Sequence, residues 1–293
     1  MADSLYIIMS KFPTYTLRLA DRLLTVDRPQ VMGIINATPD SFFAGSRTPG
    51  AEAIVSRVEQ MMAEGVDMID CGAYSSRPGA ADVSEAEEMD RLSVALRAIR
   101  SVAPDIPVSV DTFRASVARH AVACGADIIN DISGGELDSA MFATVAELGV
   151  PYILMHMRGT PQTMQSLCDY SNLELEITSW LADRIHRLRE MGVADIIADP
   201  GFGFSKTLEQ NYRLLACLPL IGRALEVPLL VGLSRKSMLT RLLSITPDEA
   251  VSATTAANML ALQGGASILR VHDVRQARQA VAIHQAFLQA QNQ

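Results

Sequence analysis

Short apolar runs of five or six residues recur along the chain, at 31–36, 67–71, 107–111, 127–131, 151–156, 195–199, 228–232 and 267–272. They are rich in Val, Ile and Leu and mostly continuous rather than alternating, the pattern of strands buried on both faces of a parallel sheet. Longer stretches with helical periodicity separate them. The 52–64 stretch sets Ile54, Val58, Met61 and Met62 on one face. The 84–102 stretch opens with Ser84 and carries Glu87 three residues on, which predicts a capping box. Stripes of the same kind run through 171–191, 208–218 and 274–289, while 251–262 is Ala-rich and apolar over much of its circumference and is predicted to be well buried. Gly65, Gly125, Gly149, Gly192, Gly264 and Gly265 each fall between a helical stretch and the next apolar run, where glycine ends helices.

Eight β/α units of this kind predict an α/β fold of the (β/α)8 TIM-barrel type, for which ~250 residues is typical. An open doubly wound sheet is the alternative. It would carry a Gly-rich turn after its first strand, where this chain has Asn36, Ala37, Thr38, Pro39 and Asp40. Ahead of the first unit, 15–19 and 23–26 read as a hairpin that plugs the barrel floor. No linker or low-complexity tract interrupts the pattern, so one domain is expected, with the hairpin in 1–30 and the barrel in 31–293.

Composition narrows the partners. Of 293 residues, 25 are basic and 33 acidic, a formal net charge of -8, and only 5% are aromatic. A phosphate-backbone or base-stacking surface for nucleic acid is therefore not expected. The four cysteines are widely spaced with no CxxC pair, as in a reducing compartment. No signal peptide and no window of ~18 apolar residues is apparent. A cytoplasmic protein without membrane partners is expected.

In a TIM barrel the chemistry collects where the strands end. Here they end in Asn36, Asp70, Asp111, Asn130 with Asp131, Met155 with His156, Asp199, the trio Ser234, Arg235 and Lys236, and Arg270 with His272. Ionisable side chains facing into a barrel are costly unless paired, so this rim reads as a site. Asp111, Asn130 and Asp199 suggest an acceptor-rich floor for a flat ligand bearing N–H donors. Lys236, Arg270 and His272, with Asn36, suggest a donor-rich wall for phosphate or diphosphate. Asn36 could also give a hard oxygen ligand to a magnesium ion carried in by the diphosphate.

Other readings stay open at this point. Asp70 could brace the loop that follows it, and Asp131 and His156 could support the site from behind. His120, His186 and His284 lie in helical stretches and read as solvated or core-edge residues. No HxH or HExxH spacing points to zinc, and no GxSxG elbow points to an acyl-enzyme. The methionines read as core filling.

The chain also resembles a known family. The run GIINATPDSF at 33–42 and SSRPGA at 75–80 resemble the two signature loops of dihydropteroate synthase. The resemblance continues in order through Val110, Asp111 and Thr112, then Asn130 to Ile132, Met155 to Met157, the DPGFGF run at 199–204, Ser234 to Lys236, and Arg270 to Asp273. It implies a folate-pathway transferase that joins (7,8-dihydropterin-6-yl)methyl diphosphate to 4-aminobenzoate. By position, Asp111, Asn130, Asp199 and Lys236 would hold the pterin, with Met155 and Phe204 lining its pocket. Arg270, His272 and Asn36 would hold the diphosphate, Asn36 through magnesium. Ser76, Arg77, Pro78 and Ser237 would shape the 4-aminobenzoate pocket that sulfonamides occupy. Asp111, Asp199, Lys236 and Arg270 would carry the catalysis, and the family implies a homodimer through the last helices.

The second loop reads GAYSSR where the family more often has GGESTR, so Tyr74 predicts a different loop-bracing contact. Sulfonamide sensitivity is expected, because Ser76, Arg77 and Pro78 are retained. A reading of another class, a pterin- or methylfolate-binding module that presents a cofactor to a partner, shares the floor but has less need of an anion wall.

Overall fold

The computed structural model of the chain describes residues 12–20, 22–37, 49–74 and 83–291. The antiparallel pair β1 (Tyr15–Leu19) and β2 (Arg22–Val26) comes first. Eight parallel strands follow: β3 (Gln30–Asn36), β4 (Met68–Gly72), β5 (Val108–Asp111), β6 (Ile128–Asp131), β7 (Tyr152–Met155), β8 (Ile196–Asp199), β9 (Leu230–Val231) and β10 (Ile268–Val271). They are ordered β8-β7-β6-β5-β4-β3-β10-β9, and a parallel bridge between Ala198 and Leu229 joins the two ends of that order into a barrel. Around it lie α1 (Pro49–Ala63), α2 (Glu85–Val102), α3 (Ala115–Ala123), α4 (Met141–Leu148), α5 (Leu173–Glu190), α6 (Leu208–Ala216), α7 (Leu218–Leu225), α8 (Ser237–Leu243), α9 (Val251–Gln263) and α10 (Val274–Gln291).

The strands explain their own continuous hydrophobicity. Residues of one parity, such as Ile69, Cys71, Val108, Val110, Ile129, Leu154, Ala198 and Val271, pack outward against the helices in one large core. Residues of the other parity face the barrel axis. Their lowest layer is Met32, Met68, Ile128, Ile153, Ile197, Leu230 and Ile268, and Leu17, Leu19 and Val26 of the hairpin pack against it. The hairpin therefore closes the floor, as the sequence suggests.

Six of the eight strands begin one residue later than their apolar runs, while β3 begins one residue earlier and β9 two later. Asp67, Asp127 and Asp195 stand just below β4, β6 and β8, and their side chains accept backbone N–H groups. Val31 N donates to Asp67 at 2.8 Å, Val108 N to Asp127 at 2.8 Å, and Arg18 N to Asp195 at 2.9 Å. Arg28 and Arg100 neutralise the first two, each at 2.6 Å.

Several local expectations change. Ser84 Oγ caps α2 by accepting from Glu87 N at 3.3 Å, but the Glu87 side chain pairs with Arg91 one turn on, so the box is only half formed. The reciprocal box instead opens α6, between Thr207 and Gln210. The apolar 208–218 stretch breaks at Cys217 into two helices, because Pro219 has no N–H to extend α6 and suits the first turn of α7. α9 buries Thr254, Ala257, Asn258, Ala261 and Leu262 but leaves Leu260 53% exposed, so only one side of this uniformly apolar helix is covered.

Candidate active site

Strand alternation selects which rim residues enter the barrel. Two residues above the apolar floor layer on each strand come Asp70, Asn130, Met155, Asp199 and Arg270, all of the inward parity; Asp111 has the same parity as Ser109 below it. Register then brings neighbours together: Asp111 lies opposite Asn130, and Met155 opposite Asp199. The apolar layer below and the polar layer above thus come from one repeating two-residue step.

The charges interleave rather than separate into a floor and a wall. Arg270 Nε donates to Asp70 Oδ2 at 2.6 Å, and its Nη2 donates to Asp111 Oδ2 at 2.9 Å. Asn130 Nδ2 donates to both oxygens of Asp70, at 3.3 and 3.4 Å. Asp70 is fully buried. It is therefore the partner of Arg270 and Asn130, and the described contacts show no bracing of its own loop. Burial disfavours the Arg270 charge, but Asp70 and Asp111 outweigh it and raise its pKa. Asp111 is pushed up to about 7, by burial above all, with Arg270 opposing and Asp70 adding to the rise.

Across the mouth, Asp199 Oδ1 accepts from Gly201 N at 2.7 Å. Burial raises its pKa, while the charge of Lys236 is the largest influence holding it down. Lys236 donates to the Phe202 carbonyl, and its Nζ lies 4.8 Å from the centre of the Phe204 ring. Burial lowers its pKa to about 8, against the pull of Asp199. Phe204 and Phe113 pack beside Ile132, Met155, Met157 and Met164, so an apolar patch adjoins the charged layer. His272 Nδ1 lies 3.0 Å from Ser234 Oγ, and its carbonyl accepts from Arg57 of α1. Asn36 ends β3 with its side chain exposed, and exposed Ser237 begins α8.

Two candidates fall outside this layer. Asp131 has the outward parity, and its oxygens accept from Ser133 N and Oγ at 2.7 Å, Gly135 N at 2.8 Å and Tyr152 Oη at 2.6 Å. It shapes the turn after β6 and supports the site only from behind. His156, also outward, packs edge-on against Trp180 with ring centres 5.0 Å apart. Burial, then the nearby charge of Lys206, keeps it well below the usual histidine range and so neutral. His120, His186 and His284 stand on α3, α5 and α10. Ser76, Arg77 and Pro78 lie outside the described residues.

Sequence reading missed Lys206. It follows a turn instead of ending a strand, yet it is buried and its Nζ donates to the carbonyls of Gly201 and Phe204, both at 2.9 Å.

Residues 32–272 match the family described as pterin binding enzyme. The dihydropteroate synthase of Synechocystis sp. is 44% identical over 263 residues, covering 89% of this chain and 90% of that protein. The chain belongs to the dihydropteroate synthase family of pterin binding enzymes. The Escherichia coli member is 40% identical over 269 residues, 91% of this chain and 94% of its own length. Among solved members, the Yersinia pestis dihydropteroate synthase with a sulfonamide drug has a TM-score of 0.86 at 39% identity, covering 93% of this chain and 99% of that one. The Xanthomonas albilineans enzyme in complex with 7,8-dihydropteroate has a TM-score of 0.83 at 37% identity, covering 93% and 98%. These neighbours share the barrel.

Proposed function

We propose that this chain is a dihydropteroate synthase. It transfers the (7,8-dihydropterin-6-yl)methyl group from its diphosphate to 4-aminobenzoate, giving 7,8-dihydropteroate and diphosphate in folate biosynthesis. The observation that carries this reading is the layer of Asp70, Asp111, Asn130 and Asp199 meshed with Arg270 and Lys236 at one end of one barrel. Family membership and the ligands named for the solved relatives support it.

The pterin presents N–H donors, which Asp111, Asn130 and Asp199 accept or match, while Met155 and Phe204 line its ring and Lys236 donates to it. Arg270, His272 and Asn36 take the diphosphate. Diphosphate departs once cations neutralise its developing charge, and the methylene it leaves is electron-poor and lies among carboxylates that favour positive charge. The neutral amine of 4-aminobenzoate then attacks the methylene, forming the C–N bond that replaces the C–O bond to diphosphate, and releases one N–H proton to solvent. Ser76, Arg77, Pro78 and Ser237 shape the pocket that aligns the amine, and sulfonamides compete there. No protein nucleophile is needed, so Asp111, Asp199, Lys236 and Arg270 act by position and charge.

Magnesium fits this scheme. Asn36 offers a hard, exposed oxygen at the rim, suited to an ion shared with diphosphate oxygens. Among the described residues no group of three or more His, Cys, Asp or Glu side chains could hold such an ion alone. When bound, the ion neutralises diphosphate charge.

The proposal extends to a cytoplasmic homodimer. No described helix is long and apolar enough to cross a membrane. Leu242 and Leu243 of α8, Leu260 of α9, and Ile283 and Phe287 of α10 are exposed apolar side chains on the last three helices, which suits a second copy.

Diphosphate release tests the reaction. It is expected only when the pterin diphosphate and 4-aminobenzoate are both present, with 7,8-dihydropteroate formed in equal amount. Release at the same rate without the amine, or none at all, would refute it.

A further inference from the structure

The 201–204 turn is gripped by lysines from two sides. Lys236 donates to the Phe202 carbonyl and lies over the Phe204 ring. Lys206 holds it from beneath, with 3% of its surface exposed. An ammonium has three donors, and here each has a partner: the Gly201 carbonyl at 2.9 Å, the Phe204 carbonyl at 2.9 Å and His156 Nδ1 at 3.1 Å. Lys206 thus ties both ends of the turn to one nitrogen and that nitrogen to the end of β7.

The turn has no slack of its own. Gly201 has φ +75, and a Cβ there would lie 1.9 Å from the His156 carbonyl oxygen. The peptide is therefore pressed onto the end of β7. Gly203 has φ +81, and a Cβ there would lie 3.2 Å from the Lys236 side chain. The Gly201 carbonyl already accepts from Phe204 N at 3.2 Å; Lys206 adds a charged second donor there and bonds the Phe204 carbonyl as well, so one ammonium closes both ends of the turn. A buried ammonium is itself unfavourable, and a hydrocarbon side chain would pack there without that cost. The lysine is accounted for by what it holds: the turn sets the Phe204 ring against Met155 and supplies the Phe202 carbonyl that anchors Lys236.

We infer that Lys206 is a positioning residue for the pterin half of the rim, fixing the 201–204 turn so that Phe204 and Lys236 meet the bicyclic ring. The identity of that ligand rests on the proposed function. Electrostatics agree with the geometry. Lys206 is among the charges that oppose the rise in the Asp199 pKa. Its own pKa is lowered to about 7, by burial first; Asp199 and Cys168 favour its charge, and Lys236 and Arg158 oppose it.

The full-length chain with Lys206→Met tests this, with 6-hydroxymethylpterin as the calorimetric probe. The variant is expected to stay folded and to bind the probe at least tenfold more weakly. KM for the pterin diphosphate should rise by a similar factor, with KM for 4-aminobenzoate within twofold of wild type. Lys206→Gln, which retains N–H donors, should recover part of the loss and serves as the test if the Met variant does not fold. A folded variant that melts lower yet binds the probe within twofold of wild type overturns the inference, because Lys206 would then serve folding alone. So does an equal rise in both KM values. A wild-type chain that binds the probe but forms no 7,8-dihydropteroate refutes the proposed reaction, while the probe titration still decides the role of Lys206. One that binds no pterin overturns both.

Discussion

Arg270 and Asp70 form an ion pair at the barrel rim in which the carboxylate is fully buried, with Nε donating to Oδ2 at 2.6 Å from strands that flank β3 on either side. The same guanidinium reaches Asp111 at 2.9 Å, so one cation balances two carboxylates. A planar fork can do this where a point charge cannot. Removing it leaves Asp70 charged and buried, with Asn130 as its remaining described donor.

Arg270→Met is therefore expected to destabilise the chain by about 3–5 kcal/mol, read from denaturant unfolding at pH 7. Adding Asp70→Asn to the same chain should restore more than half of that loss, since the buried charge disappears with its partner. Equal stability of the single and double variants would show that the pair is not what holds this layer.

Asp111 gives the rim a pH dependence of known sign. Its folded pKa is raised from 3.8 to about 7, chiefly by burial. A raised carboxyl binds its proton more tightly in the folded state, so its contribution is complete below pH 3.8 and is lost as pH rises toward 7. Asp111→Asn removes that loss. The Tm of the variant relative to wild type is expected to climb by several degrees between pH 5 and pH 7.5, at about 2–4 °C per kcal/mol. A difference that stays flat or falls would mean that Asp111 is ionised in the fold at pH 5. Asp111 is not among the main charges acting on Lys206, which cancels in the comparison, whereas Lys236, whose charge Asp111 favours, offsets part of the climb.

Much of this layer is written in the strands themselves. The eight apolar runs announce the barrel, and their last residues announce the rim. The distinction between Asn130 and its neighbour Asp131 is legible too, because Ile128 below is an inward floor residue and the two-residue step carries Asn130 in and Asp131 out. Other features have no local signal. The lodging of Arg270 between Asp70 and Asp111 depends on which strands the barrel brings side by side, and Lys206 is buried only because the 201–204 turn folds back over it. The break at Cys217 is the converse case, where a visible Pro219 yields to a long apolar stripe in the reading but not in the fold.

The contact that replaces the family's usual acid at position 74 can also be tested. The Tyr74 ring meets Phe113 edge-on at 5.0 Å, and the Arg114 guanidinium lies 5.5 Å from the Tyr74 ring and 5.2 Å from that of Phe113. Arg114 also donates to the Val83 carbonyl at 2.8 Å and to buried Glu88 at 2.6 Å. Tyr74 and Val83 flank the 75–82 segment that carries Ser76, Arg77 and Pro78, so one guanidinium ties both of its ends to the β5 edge. Tyr74→Ala removes the aromatic half of that tie without exposing a buried charge. It is expected to raise the KM for 4-aminobenzoate and the inhibition constant of a sulfonamide together, by about 5- to 30-fold, the equivalent of ~1–2 kcal/mol, while the KM for the pterin diphosphate moves less than twofold. Steady-state kinetics with each substrate varied in turn reads all three constants. A change confined to the pterin substrate would assign Tyr74 to the other half of the rim.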